Sequence, residues 1–219
     1  MLNGMVRMKI VVFGANGGVG RCLIEQLTSA GHSVTAVLRQ GRELKQPHPE
    51  VHVVEIGDMA DPRALAPAIR GADAVVSGVG PRSTKDGPVA APVTAAIVTA
   101  MRETGVQRFI AVSAAPIGPV PSDEGLLDRL LLQPVARRLL RPVFDDLGKM
   151  EAIMDASGLD CTAVRPPRLT NGALTGKYRM RIGGSLPRAH VISRADTAHA
   201  MRSVLTDRST FGQPVGVAY

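Results

Sequence analysis

Gly14, Gly17 and Gly20 recur at three-residue intervals in KIVVFGANGGVG, between an apolar run and Leu23, Ile24 and Leu27 at helical spacing. A strand, a tight turn and a helix start, in that order, make a site for an anion. Gly14 lets the chain leave the strand with dihedrals other residues avoid. Gly17 omits a side chain where a pyrophosphate would approach the backbone, and Gly20 lets the helix pack close to the strand. The N–H groups of the first helical turn then face the anion, with Asn16, Gly18 and Val19 in the same turn. The spacing is G-x-x-G-x-x-G rather than G-x-G-x-x-G, and its position between a buried strand and a helix is what gives it weight.

A dinucleotide held on such a turn is read at the end of the second strand, where a carboxylate bonds the ribose 2′-OH of NAD. SVTAVLR ends instead in Arg39, with Arg42 close behind and no acid. An arginine there suits a 2′-phosphate in fork geometry, which favours NADP(H); the plain alternative is a solvated loop arginine. Asp58 and Met59 end the third strand, where Asp58 either accepts from the adenine amine or turns the chain into the next helix. Gly78, Val79 and Gly80 would let the end of the fourth strand approach the cofactor closely.

The elements that must place these residues alternate regularly. Strands are expected at Ile10 to Phe13, His32 to Arg39, Val51 to Glu55, Ala74 to Val76, Arg108 to Ser113 and Asp160 to Arg165, with a last one at Val215 to Ala218. Between them, Asp61 with Pro62 opens one helix, Val89 to Glu103 is an alanine-rich one, Asp145 to Ala156 another, and Ser193 caps a last helix. Such alternation implies a Rossmann-like doubly wound α/β fold, one domain over residues 8–219, with helices on both faces of a parallel sheet. Met1 to Arg7 reads as a leader, disordered or preceding a start at Met5 or Met8. Pro116 to Pro142 mixes prolines with short amphipathic runs and reads as a small lid over the C-terminal edge of the sheet; residues 167–192 are the second substrate-side segment.

Composition excludes several function classes. The net charge of +7 comes with no tryptophan and 3% aromatic residues, too few rings for base stacking on nucleic acid. No stretch is long and apolar enough to span a membrane. Cys22 and Cys161 make no disulfide framework, so a reduced, cytoplasmic setting is expected. The five histidines show no metal-ligand spacing, and no metal is expected.

These segments together resemble the atypical short-chain dehydrogenases, in the NAD(P)-binding group related to biliverdin reductase B and the NmrA-like proteins. GANGGVG, the VLR strand end, Gly57-Asp58, RFIAVSA, SGLDCTAVRPPRLTNG and ISRADTAHAM carry the resemblance nearly end to end. It implies NADPH bound with its dihydronicotinamide near Ser113 and Pro166, and, as in better-known relatives, reduction of flavins, quinones or tetrapyrroles. The superfamily's Tyr-x-x-x-Lys pair is broken: Lys149 is present, but Asp145 stands four residues before it. Lys149 is then either catalytic or the partner of Asp145 in an i,i+4 ion pair. Ser113 falls where the superfamily's catalytic serine falls, or else caps a turn. Arg168 follows the paired prolines where biliverdin reductase B has histidine; a buried cation there would hold an anionic substrate or a cofactor phosphate.

Without the tyrosine, hydride transfer to a conjugated acceptor needs the least help from side chains. The expected function is an NADPH-dependent reductase of a flavin or quinone, working as a monomer or homodimer. The alternatives are a non-catalytic NADP-binding sensor of NmrA type and a biosynthetic ketone reductase.

Overall fold

The β-branched runs form strands and the amphipathic runs between them form helices in the computed structural model, which describes residues 7–81, 83, 86–118 and 138–219. In chain order these are β1 (Lys9–Phe13), α1 (Gly18–Ser29), β2 (Ser33–Arg39), β3 (Val51–Ile56), α2 (Pro62–Ile69), β4 (Ala74–Ser77), α3 (Ala90–Thr104), β5 (Arg108–Val112), α4 (Arg141–Asp155), β6 (Asp160–Arg165), β7 (Arg168–Thr170), β8 (Arg179–Ile182), β9 (Val191–Ser193), α5 (Arg194–Ser203) and β10 (Gln213–Ala218). The main sheet runs β3-β2-β1-β4-β5-β6-β10-β8. Its pairings are parallel except that β8 lies antiparallel on β10. β7 and β9 form a separate parallel pair. This is the doubly wound Rossmann architecture, a single domain.

Strand β1 shows why both faces must be covered. Ile10 and Val12 join one core with Leu23, Leu27 and Met201, from α1 and α5. Val11 and Phe13 join the other with Leu65, Ile97, Met101 and Met150, from α2, α3 and α4. A strand whose alternate residues are both apolar has no face to give to water, so helices close over each side. Among the described residues no helix is long and apolar enough to cross a membrane.

Several expectations shift. α4 begins at Arg141 rather than at Asp145, because Pro142 sits in the first turn, where no intrahelical N–H bond is needed. The short strands β7, β8 and β9 lie in residues 168–193, where no strand was expected. Three-residue strands carry too little pattern to be read locally. The expected leader, residues 1–7, lies outside the described residues except for Arg7, and most of the Pro116 to Pro142 insertion lies outside them too. The described start of the insertion, Ala115–Ile117, is a 3-10 turn.

Buried polar groups tie the helices down. α3 has no capping side chain of its own. Asp146 of α4 supplies one instead, accepting from the backbone N–H groups of Val89, Ala90 and Ala91 at 2.8–2.9 Å. That is a helix cap provided across the tertiary structure. Arg108, buried at the start of β5, donates to the Val204 and Leu205 carbonyls beyond α5 and lies over the Phe211 ring. Burial pushes its pKa down to about 10, still charged at neutral pH.

Asp196 is the densest tie. Its fully buried carboxylate accepts from Tyr219 Oη at 2.6 Å, Thr175 Oγ1 at 2.8 Å, and the N–H groups of Thr175 and Gly176 at 3.0 and 2.8 Å. Burial opposes the charge, but these donors outweigh it and hold the carboxyl below the usual carboxylate range. A depressed folded-state pKa stabilises the fold above the ordinary value, about 3.9, and that contribution is lost as pH falls through and below it. Asp196→Ala should therefore cost about 3 kcal/mol or more in urea denaturation at pH 7, since each orphaned donor costs about 1–3 kcal/mol. The difference between the variant and the wild type should shrink toward pH 3.

Candidate functional site

The chain reverses its winding between β1 and β4, and the glycine turn lies in that crevice. Gly14 has φ 72°, and a Cβ on it would fall 2.7–2.8 Å from the backbone of Gly78 and Val79. The Gly78 N–H donates to the Phe13 carbonyl at 2.9 Å, so the two strand ends are bonded as well as in contact. A Cβ on Gly20 would strike the Gly14 carbonyl, which is the close helix–strand packing that the spacing implied. Gly17 is the N-cap of α1, and its N–H donates to Gly14 O at 2.8 Å. A Cβ there would lie 3.0 Å from that oxygen, so the turn itself, as well as a ligand, favours glycine. α1 has no capping side chain and no acid in its first turn. The N–H groups of Gly18, Val19 and Gly20 thus have no acceptor within the helix. A concave backbone with orphan donors and no capping side chain fits a dinucleotide diphosphate.

Around this cradle the polar side chains divide. Asn16 bonds the 43–45 loop, donating to Glu43 O at 2.9 Å and accepting from Lys45 N–H at 2.8 Å. Both ends of its amide are therefore used to hold that loop beside the turn. Arg39 is exposed at the end of β2, and among the described residues no carboxylate pairs with it. The nearby acid Glu55 is turned away, accepting from Gly41 N–H at 2.8 Å. Asp58 accepts from Ala60 N–H at 2.8 Å, the turn role that the sequence left open. Met59 and Val79 pack against the α2–α3 core, and Gly80 has open space where a Cβ would stand.

The other half of the site lies beyond the ends of β5 and β6. The Ser113 N–H donates to Val164 O at 2.7 Å and Ala115 N–H to Pro166 O at 2.9 Å, so pairing continues past the strands. Ser113 Oγ, buried, donates to Glu151 Oε1 at 2.5 Å. Arg165 Nε donates to the same oxygen at 3.0 Å, and its Nη2 pairs with Glu151 Oε2. Ser113 caps no turn. With its only proton on Glu151, it can accept a hydrogen bond from a ligand but not donate one. Sequence reading missed Glu151 and Arg165. The signal available was an arginine ending a buried strand, a residue almost never buried without a partner.

Asp145 pairs with Arg141, Nε to Oδ2 at 3.6 Å, and not with Lys149, correcting the expected i,i+4 pair. Both positions lie on the exposed side of α4, and Arg141 precedes Asp145 by one turn. Lys149 is left lining an open cleft of about 940 Å³ with Ile117, Phe144, Arg138 and Arg141. Arg168 is exposed on β7 rather than buried, because its neighbour Leu169 takes the inward position; it does not line this cleft. Both tyrosines are engaged elsewhere, Tyr178 Oη with His199 Nδ1 at 2.7 Å and Tyr219 with Asp196. Pro166 is buried at the end of β6.

Glu151→Leu should cost about 3–5 kcal/mol in chemical denaturation by leaving Arg165 buried without its partner. Glu151→Leu combined with Arg165→Met should recover much of that loss.

A family model described as NAD(P)H-binding matches residues 14–208. The uncharacterized sugar epimerase YhfK of Bacillus subtilis is 27% identical over 215 residues, 93% of this chain and 90% of that protein. An uncharacterized chloroplastic protein of Arabidopsis thaliana is also 27% identical, over 95% of this chain and 76% of its own length. Among solved structures, a short-chain dehydrogenase/reductase of Veillonella parvula in complex with NADP superposes with a TM-score of 0.78 at 22% identity, covering 97% of this chain and 94% of that one.

Proposed function

The chain belongs to the NAD(P)H-binding family, and from that premise we propose that it is an NADPH-dependent reductase of a conjugated acceptor such as a flavin or quinone. The observation that carries the cofactor choice is Arg39, exposed where β2 ends beside the glycine cradle, with the acid Glu55 of the neighbouring strand bonded to Gly41. A guanidinium there receives a 2′-phosphate; the hydroxyl of NADH would leave it unmatched. When bound, the cofactor supplies a hydride.

The chain's own residues then bind and orient. The turn from Gly14 to Gly20 holds the diphosphate, and Gly78 to Gly80 leave room beside it. Ile117 and Phe144 offer apolar surface to a ring, while Arg138, Arg141 and Lys149 outnumber the acid Asp145 among the described lining residues and favour an acceptor with an anionic group. Ser113 receives a hydrogen bond, from a carboxamide or a ring N–H. No tyrosine lines the cleft, so the proton that completes reduction comes from water. A conjugated ring tolerates this, because its negative charge is delocalised after hydride arrives. A simple ketone would need a donor, and Ser113 has its proton on Glu151.

The missing tyrosine favours a second reading, an NADP-binding sensor without turnover. NADPH oxidation across flavins, quinones and carbonyls separates the two; tight NADPH binding with no turnover favours the sensor. Arg39→Ala should weaken NADPH binding by about 1.5–3 kcal/mol, the worth of a charged hydrogen bond, and hardly alter NADH. Equal losses in calorimetry would remove the basis for NADP. With an active acceptor, Lys149→Ala should raise KM several-fold and spare kcat. Loss of kcat there, with the fold intact, would instead support lysine-assisted carbonyl reduction.

A further inference from the structure

A side chain on Gly18 would displace the Arg194 side chain. A Cβ on this glycine would fall 2.6 Å from Arg194 Nε and collide with Arg194 Cδ. The stem of Arg194, the first residue of α5, thus lies across the first residue of α1. This is an unfavourable place for a cation, because a helix N-terminus carries positive partial charge and attracts anions. The usual remedies are missing. The first turn of α1 holds no acid, and no side chain caps it. Among the described residues no carboxylate pairs with Arg194. Among the described residues its hydrogen-bond acceptors are neutral, Asn171 Oδ1 at 2.7 Å and Leu169 O at 3.5 Å. Arg194 also opens its own helix, whose one first-turn acid, Asp196, is turned to Tyr219, Thr175 and Ser193.

We propose that Arg194 is a diphosphate clamp, closing the glycine cradle from the α5 side so that the cofactor is held between a helix N-terminus and a guanidinium. Gly18 is then glycine to admit this arginine rather than to let the cofactor reach the backbone. An anion in the cradle satisfies both positive ends at once, which no carboxylate among the described residues does. The clamp rests on the reading that the cradle binds a dinucleotide. It differs from Arg39 in what it recognises: the diphosphate is common to NADPH and NADH, whereas the 2′-phosphate is not.

The test compares Arg194→Met, Arg39→Ala and Asn171→Ala with the wild type, by calorimetry with NADPH, NADH and adenosine 2′-monophosphate, and by thermal unfolding without ligand. Arg194→Met should weaken NADPH and NADH alike, about ten- to a hundredfold, and leave adenosine 2′-monophosphate unchanged. The slope of log Kd against log salt should fall for both dinucleotides. Because a like-charge contact is removed, the melting temperature without ligand should hold or rise. Asn171→Ala, which removes the neutral tie but keeps the charge, should bind both cofactors within a few-fold of the wild type. Unchanged dinucleotide affinity in Arg194→Met overturns the clamp and leaves the cofactor reading intact. A lower melting temperature, with the binding loss copied by Asn171→Ala, overturns it in favour of a structural tie. A wild type that binds neither dinucleotide overturns both readings.

Discussion

The site depends on one close approach, the Gly14 turn against Gly78 and Val79. β1 and β4 are neighbours in the sheet, yet the chain leaves them toward opposite faces. The crevice between their ends is narrow because Gly14 takes a positive φ and presents no Cβ to the facing backbone. Gly20 then draws α1 down onto the same turn. A bulkier residue at either point would push the helix away and move its free N–H groups out of the crevice. The anion cradle thus follows from backbone packing, before any charged side chain takes part.

A second set of constraints fixes what surrounds the cradle. Asn16 clips the loop after β2, Asp146 holds α3 to α4, and Glu151 joins α4 to the ends of β5 and β6. The Asp146 and Glu151 bonds are buried or half-buried, where a partner lost is costly and geometry is held, whereas the Asn16 bonds are exposed. With α4 anchored by Asp146 and Glu151 on its inward side, its outward side presents Phe144 and Lys149 to the cleft. The same polar contacts turn the Ser113 hydroxyl inward, while the cleft is lined by Arg138, Arg141, Lys149, Asp145 and apolar surface. Asp196 performs the equivalent task on the α5 side, gathering the 175–176 loop and the Tyr219 hydroxyl around one carboxylate.

The sequence by itself determined the parts written in contiguous patterns. The alternation of β-branched and amphipathic runs specified the parallel sheet, because period and burial are local properties. KIVVFGANGGVG specified the turn, and Asp61 and Ser193 cap their helices as the sequence indicates. The position of Arg39 at the exposed end of β2 was legible because a strand end is a local feature. What only the tertiary structure decided was every partnership across the chain. Ser113 and Glu151 are 38 residues apart, and Val89 and Asp146 are 57 apart. No spacing rule connects such pairs, since the sheet order that joins them is set by packing. The same holds for Arg194 over Gly18: a glycine in a turn motif reads as a ligand contact until the fold brings another helix across it. Lys149 shows the converse. Its i,i+4 acid was the simple local partner, but Asp145 is one turn from Arg141 as well, and the rotamers of an exposed helix side choose between them.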